Sequence, residues 1–408
     1  MKRKSVLAIV ALILAFAGTQ AIGYNVAEFP ICTNDANQIN PAINGSIIVW
    51  QDYRNGNWDI YGYDLSTQTE FPICVNSADQ INPDISGNIV VWEDHRYDSK
   101  YQGFYYSIYG YKLSTRTEFL VYDMESYQRD PSIDGNFVVW EEYSFQGIDG
   151  SRINGYSLSG HTKFLIWENE PLNYEVFYHP AVSGSIVVWW ASLGGIRDYD
   201  PVRSYDFYNR TFLSNTDYGQ RPNISGSIVV YEHHESPLYR SERYKICYTD
   251  FSKQCIITPF GGTIPCSHCL TYNDPIPCRE DATCHYVDGD SPDISGNIIV
   301  WSNWIEHEGF FGTAIYGYDI STMTWFPIRE SSESNRWHHN PAIDGNIVIW
   351  EDKRNGNYDI YGARLEPFCL GKPEMDFNGD CKVDFVDFAI MASSWLECNL
   401  VPQSACWE

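Results

Sequence analysis

The stretch Ile47-Ile48-Val49-Trp50-Gln51-Asp52-Tyr53-Arg54-Asn55-Gly56-Asn57-Trp58-Asp59-Ile60-Tyr61-Gly62-Tyr63 decides the fold, because the chain repeats it. Its apolar run, closing on an aromatic residue, returns as Ile89–Trp92, Phe137–Trp140, Ile186–Trp189, Ile228–Tyr231, Ile298–Trp301 and Ile347–Trp350. The aromatic ends lie 42, 48, 49, 42, 70 and 49 residues apart. A period of this length marks a repeat architecture in which each unit buries its neighbour's flat face.

The fullest units are Asn40 to Ile73 and Asn340 to Leu365. Each opens on Asn-Pro, turns at a Ser/Asn/Asp-Gly pair such as Asn44-Gly45, and enters the Ile/Val-Val-Trp run. Glycine accepts the positive φ of such a tight turn. An uninterrupted β-branched run reads as a strand buried on both faces. The Asp59–Leu65 type of segment alternates, as a half-exposed strand does. A Ser-Thr-x-Thr turn then leads to Glu70-Phe71-Pro72-Ile73. Four short strands per unit and seven units predict an all-β, seven-bladed β-propeller over residues 28–368. Glu28-Phe29-Pro30-Ile31 copies the last strand of a unit without a unit before it, and the seventh unit lacks a clear last strand. The N-terminal strand is therefore expected to complete the seventh blade and close the ring.

These repeats resemble those of TolB-type and related surface-protein β-propellers, which carry an Ile-Val-Trp-x-Asp-x-Arg-x-Gly-Asn-x-Asp-Ile-Tyr pattern. The resemblance implies the fold and leaves the activity open, since propellers host many. The recurring Asp52/Arg54, Asp94/Arg96 and Asp352/Arg354 are read as ties between blades, because a residue needed once per blade is structural.

The C-terminal segment, 369–408, follows other rules. Asp376, Asn378, Asp380, Asp384 and Asp387 place oxygen-bearing side chains at positions 1, 3, 5, 9 and 12 of a loop, and Lys382 at position 7 offers its carbonyl. A hard cation such as Ca2+ takes six to eight oxygens from a loop of this spacing. Phe385, Phe388, Ala389, Ala392, Trp395 and Leu396 then predict a helix with one apolar face. The segment resembles half of a type I dockerin, the disulfide-flanked Asp-x-Asn-x-Asp-Cys-x-Val-Asp form. That resemblance implies a small α-helical calcium module and docking to a cohesin-like or cell-surface partner. It departs in having one loop rather than two, and in Cys381 where glycine is usual.

Lys2, Arg3 and Lys4 followed by the apolar Val6–Phe16 predict a signal peptide over residues 1–21, with an uncleaved anchor as the alternative. A secreted, extracellular or cell-surface chain follows. With 27 Lys+Arg against 53 Asp+Glu, the net charge of −26 excludes nucleic acid and anionic membranes as natural partners. The 12 cysteines are expected mostly as disulfides in an exported chain. They group as Cys32 with Cys74, six from Cys247 to Cys284, and four around the C-terminal module. Cys247 and Cys255 are expected to flank a hairpin turn. Residues 260–290 read as a cysteine-rich insertion, stapled by disulfides or, with Cys266, Cys269, Cys278 and Cys284, by zinc.

His233-His234 and His338-His339 are adjacent pairs whose members point to opposite faces of a strand. They read as surface polar residues. Trp304, Trp325 and Trp337 are candidate sugar-stacking platforms, or else blade packing. No catalytic residue can be nominated. The leading functional reading is a non-catalytic binding protein for a glycan or protein ligand, docked through its calcium module. The alternatives are a glycoside hydrolase or polysaccharide lyase with the same tail, and a structural surface-layer protein. An enzyme should gather one non-repeated cluster of carboxylates, His or Arg at the channel mouth. A binder should show an aromatic rim without it, and a structural protein neither.

Overall fold

The computed structural model describes residues 22–96, 105–143, 151–169, 175–193, 201–215, 219–234, 244–257, 263–269, 289–307, 310–330, 337–369, 377 and 385–395. The described strands form seven four-stranded antiparallel sheets. Blade 1 holds β2 (Gln38–Asn44), β3 (Ile47–Asp52), β4 (Asp59–Asp64) and β5 (Thr69–Cys74). Blade 2 holds β6 (Gln80–Ser86), β7 (Ile89–Asp94), β8 (Ser107–Lys112) and β9 (Thr117–Tyr122). Blade 3 holds β10 (Tyr127–Asp134), β11 (Phe137–Tyr143), β12 (Ser151–Ser157) and β13 (Thr162–Glu168). Blade 4 holds β14 (Glu175–Ser183), β15 (Ile186–Leu193), β16 (Val202–Asp206) and β17 (Thr211–Asn215). Blade 5 holds β18 (Gln220–Ser225), β19 (Ile228–His234), β20 (Tyr244–Ile257) and β21 (Thr263–Cys269). Blade 6 holds β22 (Gly289–Ser295), β23 (Ile298–His307), β24 (Phe310–Asp319) and β25 (Thr324–Arg329). Blade 7 holds β26 (His338–Asp344), β27 (Ile347–Asp352), β28 (Asp359–Cys369) and, out of chain order, β1 (Ile22–Cys32).

The ring closes as expected. β1 lies antiparallel on β28, with Phe29 opposite Gly362 and Pro30 opposite Tyr361. The first strand of each blade touches the first strands of its neighbours around the axis, β26 meeting β2. The apolar runs are buried on both faces because each blade is sandwiched. Val49, Ile60 and Ile73 of blade 1 pack on Ile85, Val90 and Trp92 of blade 2. Ile31, Ile349 and Ile360 of blade 7 pack on Ile43, Ile48 and Trp50 of blade 1, so the closing seam is built like the others.

The Gly turns do more than reverse the chain. The Gly45 amide donates to Asp344 Oδ2 (2.6 Å) of the preceding blade, and Gly87 to Asn44 Oδ1 (2.8 Å). Gly135, Gly184, Gly226, Gly296 and Gly345 repeat the contact with Ser86, Asp134, Ser183, Ser225 and Ser295. The short polar residue before each glycine is therefore an inter-blade cap. The Tyr-Gly-Tyr glycines have a different cause. A Cβ at Gly62 would meet the Phe71 ring at 2.9 Å, so the glycine leaves room for the neighbouring strand's aromatic ring to lie flat.

Several expectations are corrected. The Asp52–Arg54 ion pair lies within one blade, and only a further donor of Arg54 crosses to the neighbouring blade. Asp52 accepts from the Trp50 indole (2.9 Å) and Arg54, and Arg54 reaches Glu70 (2.5 Å) on the outer strand while lying over Tyr61 (4.1 Å). Further ties between blades come from Asn57, which donates to the carbonyls of Asn76 (2.7 Å) and Ala78 (2.9 Å), and from Asn357, which donates to those of Asn34 and Ala36. Cys32 and Cys74 are free buried thiols. Each accepts from the arginine of the next blade, Arg54 (3.3 Å) and Arg96 (3.4 Å). Burial pushes the Cys32 thiol up to about 12. Cys247 and Cys255 lie on one strand, β20, so no hairpin brings them together; the backbone register sets Cys247 opposite Cys269. The supposed insertion supplies β21, the outer strand of blade 5, and 258–262 and 270–288 lie outside the described residues.

Residues 1–21 and most of 369–408 also lie outside the described residues. No described helix is long and apolar enough to cross a membrane. Of the C-terminal segment, the helix α1 (Phe385–Trp395) is present where the spacing places it.

Candidate functional site at the channel mouth

Each first strand breaks register at an X-Pro step, and X takes a positive φ there. The seven residues are Asn40, Asn82, Asp130, His179, Arg221, Ser291 and Asn340, with φ between 45° and 53°. This left-handed conformation is uncommon for residues other than glycine, so the surrounding sheet must enforce it. The side chains meet around the channel. Asn40 donates to Asn82 (3.0 Å), Asn82 to Asp130 (2.5 Å), Ser291 to Asn340 (2.9 Å) and Asn340 to Asn40 (3.3 Å). His179 Nδ1 lies 3.2 Å from Asp130, and Arg221 lies 3.4 Å from Ser291. Together these residues form a collar.

A second tier comes from the residue that follows the aromatic end of the apolar run in several blades. Gln51, Glu93 and Glu351 accept from the backbone amides of Asn82 (3.0 Å), Asp130 (3.3 Å) and Asn40 (2.8 Å) in the following blades. Glu232 accepts from the Ser291 amide (2.7 Å). Blade 4 departs, placing Trp190 there, stacked on Tyr178 (4.5 Å). Burial raises these acids: Glu351 to about 6, and Glu141 well above the carboxylate range with help from the charges of Asp130 and Glu93.

The sevenfold pattern breaks again at Arg221 of blade 5, which lines an open cavity of about 380 Å3. Arg221 stands where most blades carry a small polar residue. Its guanidinium contacts Glu232 (3.3 Å) and Asp290, and Asp290 also accepts from Ser291 Oγ (2.9 Å). Burial, then the charge of Asp290, pushes Glu232 up to about 8 against the pull of Arg221. Burial acts upward on Asp290 too, but Arg221 and hydrogen bonds from Glu232 and Ser291 outweigh it and hold Asp290 below its ordinary value. The two neighbouring carboxyls are thus pushed in opposite directions. His339 also lines the cavity, and burial lowers its pKa. Ile39, Trp58 and Tyr358 line the cavity as well.

The aromatic rim continues outward. Tyr358 and His339 rings are 6.2 Å apart, His339 stacks on Trp337 (5.8 Å, 15°), and Trp337 meets Trp304 edge-on (5.3 Å, 76°). Trp304 is 45% exposed. Trp325, by contrast, packs within its blade against Tyr316 (5.7 Å) and is no platform. The His338-His339 pair splits as alternation requires, but His338 is fully buried 3.0 Å from Asp352 rather than on the surface. The side chains of His233 and His234 lie outside the description.

The structure therefore shows both an aromatic rim and a non-repeated ionic cluster. Arg221, Asp290, Trp58 and Tyr358 were not singled out from the sequence, and His339 was read there as a surface polar residue rather than as part of a site. Aligning the seven X-Pro steps exposes Arg221 and His179 as departures, and that was the available signal. Of the calcium-loop residues, Asp376, Asn378, Asp380, Lys382 and Asp384 lie outside the described residues. Asp387 is buried at the start of α1 and accepts from the Phe377 amide (2.7 Å), the second position of the expected loop. Among the described residues, no three His, Cys, Asp or Glu side chains converge as a metal set.

The chain matches no protein-family model and no curated protein. It is similar in structure to an oligogalacturonate lyase in complex with manganese, at 13% identity, covering 86% of this chain and 98% of that one, with a TM-score of 0.56. It is also similar to the β-propeller domain of the Trilobed protease from Pyrococcus furiosus, at 12% identity over 83% and 99% of the two chains, TM-score 0.57. That domain is described as having an open velcro topology, whereas here β1 seals the ring. TolB from Acinetobacter baumannii is more distant, at 15% identity over 74% and 67%, TM-score 0.45. At these identities the likeness is one of fold, and the fold is a seven-bladed β-propeller.

Proposed function

We propose that this protein is an exported propeller that binds a glycan at the channel mouth. The observation that carries the reading is one cavity, at the Arg221 departure from the repeat, that Trp58 and Tyr358 line together with the hydrogen-bonding groups of Asn37, Ser291, Asn340 and Glu351. Aromatic faces beside fixed polar groups suit a sugar, which presents apolar CH faces and hydroxyls together. Arg221 is already met by Glu232 and Asp290, so the ionic cluster shapes the wall rather than offering an unmet charge. The C-terminal segment is proposed as a Ca2+ module, with Asp376, Asn378, Asp380, Lys382, Asp384 and Asp387 as ligands, docking to a cohesin-like or cell-surface partner. Asp387, carrying one amide contact, fits that role.

A catalytic reading, in which the mouth hydrolyses or eliminates a polysaccharide, is favoured by one observation. Glu232 and Asp290 are pushed apart in pKa, as an acid and base pair are. Their mutual hydrogen bond is closer than the roughly 5–9.5 Å that separates glycosidase carboxyls. The manganese held by the lyase neighbour has no counterpart set among the described residues. The test is a glycan array with parallel product analysis. Binding that Tyr358→Ala weakens at least about tenfold, with no sugar released, supports the binding function. Release of products that Glu232→Gln abolishes would replace it with the catalytic one.

A further inference from the structure

We infer that the mouth recognises a glycan chain rather than a single sugar, one unit seated between Trp58 and Tyr358 and the following units running outward over blade 6 along Trp337 and Trp304. This rests on the glycan reading of the cavity and adds the size and direction of its ligand.

Blade 6 carries it. Its second and third strands, Ile298–His307 and Phe310–Asp319, are ten residues long, against six for the equivalents in blade 1. The extra length extends the β23–β24 ladder beyond the point where blade 1's ends, and Trp304, opposite Thr313, stands at the start of the extension. A 45% exposed tryptophan is a large apolar surface left uncovered. It is also not isolated, because ring contacts of 5.3, 5.8 and 6.2 Å link it through Trp337 and His339 to Tyr358 in the cavity.

The arc is held in place. The backbone amide of His338 donates to Thr313 Oγ1 (2.6 Å), and its carbonyl accepts from Ser302 Oγ (2.6 Å) and Thr313 Oγ1 (2.8 Å). The hairpin thus clamps the strand start that carries Trp337 and His339 on either side. A surface fixed before binding loses little entropy when a ligand arrives. A lone sugar in the cavity would leave Trp304 untouched; a chain leaving the cavity toward blade 6 covers it.

The test titrates the whole protein calorimetrically with cello-, xylo-, manno- and chito-oligosaccharides from disaccharide to hexasaccharide. The bound series should gain about two- to tenfold in affinity for each aromatic reached. Trp304→Ala should flatten that gain while disaccharide affinity stays, and Trp304→Phe should restore part of it. Tyr358→Ala should weaken every length. An unchanged length dependence in Trp304→Ala, or none in the wild type, overturns the chain inference while the cavity reading stands. Failure of every series to bind the wild type overturns the cavity reading, and this inference with it.

Discussion

Asp52 concentrates much of the blade's logic in one side chain. It is fully buried, yet it accepts from the Trp50 indole and from Arg54, whose other donors reach Glu70 and Cys32. Blades 2 and 7 copy it with Asp94 and Asp352. Trp140, Trp189 and Trp301 in other blades have indole nitrogens without such an acceptor. Removing one partner of a buried ionic contact costs more than the contact contributes, so Asp52→Ala should destabilise by about 3–5 kcal/mol. Urea melts of Asp52→Ala against Tyr53→Ala on the exposed loop check this. A second residue-scale expectation concerns Glu232. Its folded pKa is about 8, above the ordinary 4.5, so the native protein holds a proton that the unfolded chain releases. Its contribution is full below pH ~4.5 and is lost as pH rises through about 8. Glu232→Gln should therefore match the wild type near pH 5 and exceed it near pH 8.5, by on the order of 2–4 kcal/mol. Thermal melts at the two pH values decide it. Recurrence of Asp and Arg was legible in the sequence. Their partners were not, because Cys32 and Glu70 lie on other strands and no local spacing points to them.

At the scale of the strand, alternation and turn chemistry foretold most elements, including the late pairing of β1. What they could not foretell was the backbone's second use of the same residues. The glycine of Tyr-Gly-Tyr reads as a half-exposed strand position, but its cause is the ring across the ladder, Phe71 over Gly62 and Phe119 over Gly110. Gly62→Val should cost about 1–3 kcal/mol through displacement of Phe71, and Gly62→Val with Phe71→Leu should recover part of it. Equal loss in both variants would reject this account. Proline at Pro72, Pro327 and Pro30 in outer strands removes a donor from an exposed edge, which discourages pairing with another sheet. The X-Pro step of each first strand was read as an ordinary strand opening. Its left-handed residue depends on the seven-membered collar, a property of the ring that no single repeat contains.

The whole molecule explains why the fold was easier to read than the site. A ring of equivalent blades writes its architecture seven times, so periodicity reveals it. A binding site is written once, as the exception, and Arg221 or Asp290 means little until the blades are superposed. The closing strand makes a test at this scale. Deleting Ile22–Cys32 bares β28 and opens the seam where Ile31 packs on Ile43 and Trp50. The melting temperature should fall by roughly 10 °C or more, and a synthetic peptide of that strand should restore it. Amide exchange should quicken first in blade 7. If protection there were unchanged, the seal would carry no weight.

That seal also has a consequence in time. Phe29 emerges from the ribosome long before Gly362, its neighbour in the finished sheet, exists. Throughout translation the earliest strand is an orphan with an apolar flank, and contacts so distant along the chain form slowly. A polypeptide halted before the last hairpin would carry this orphan to whatever foreign edge it met first.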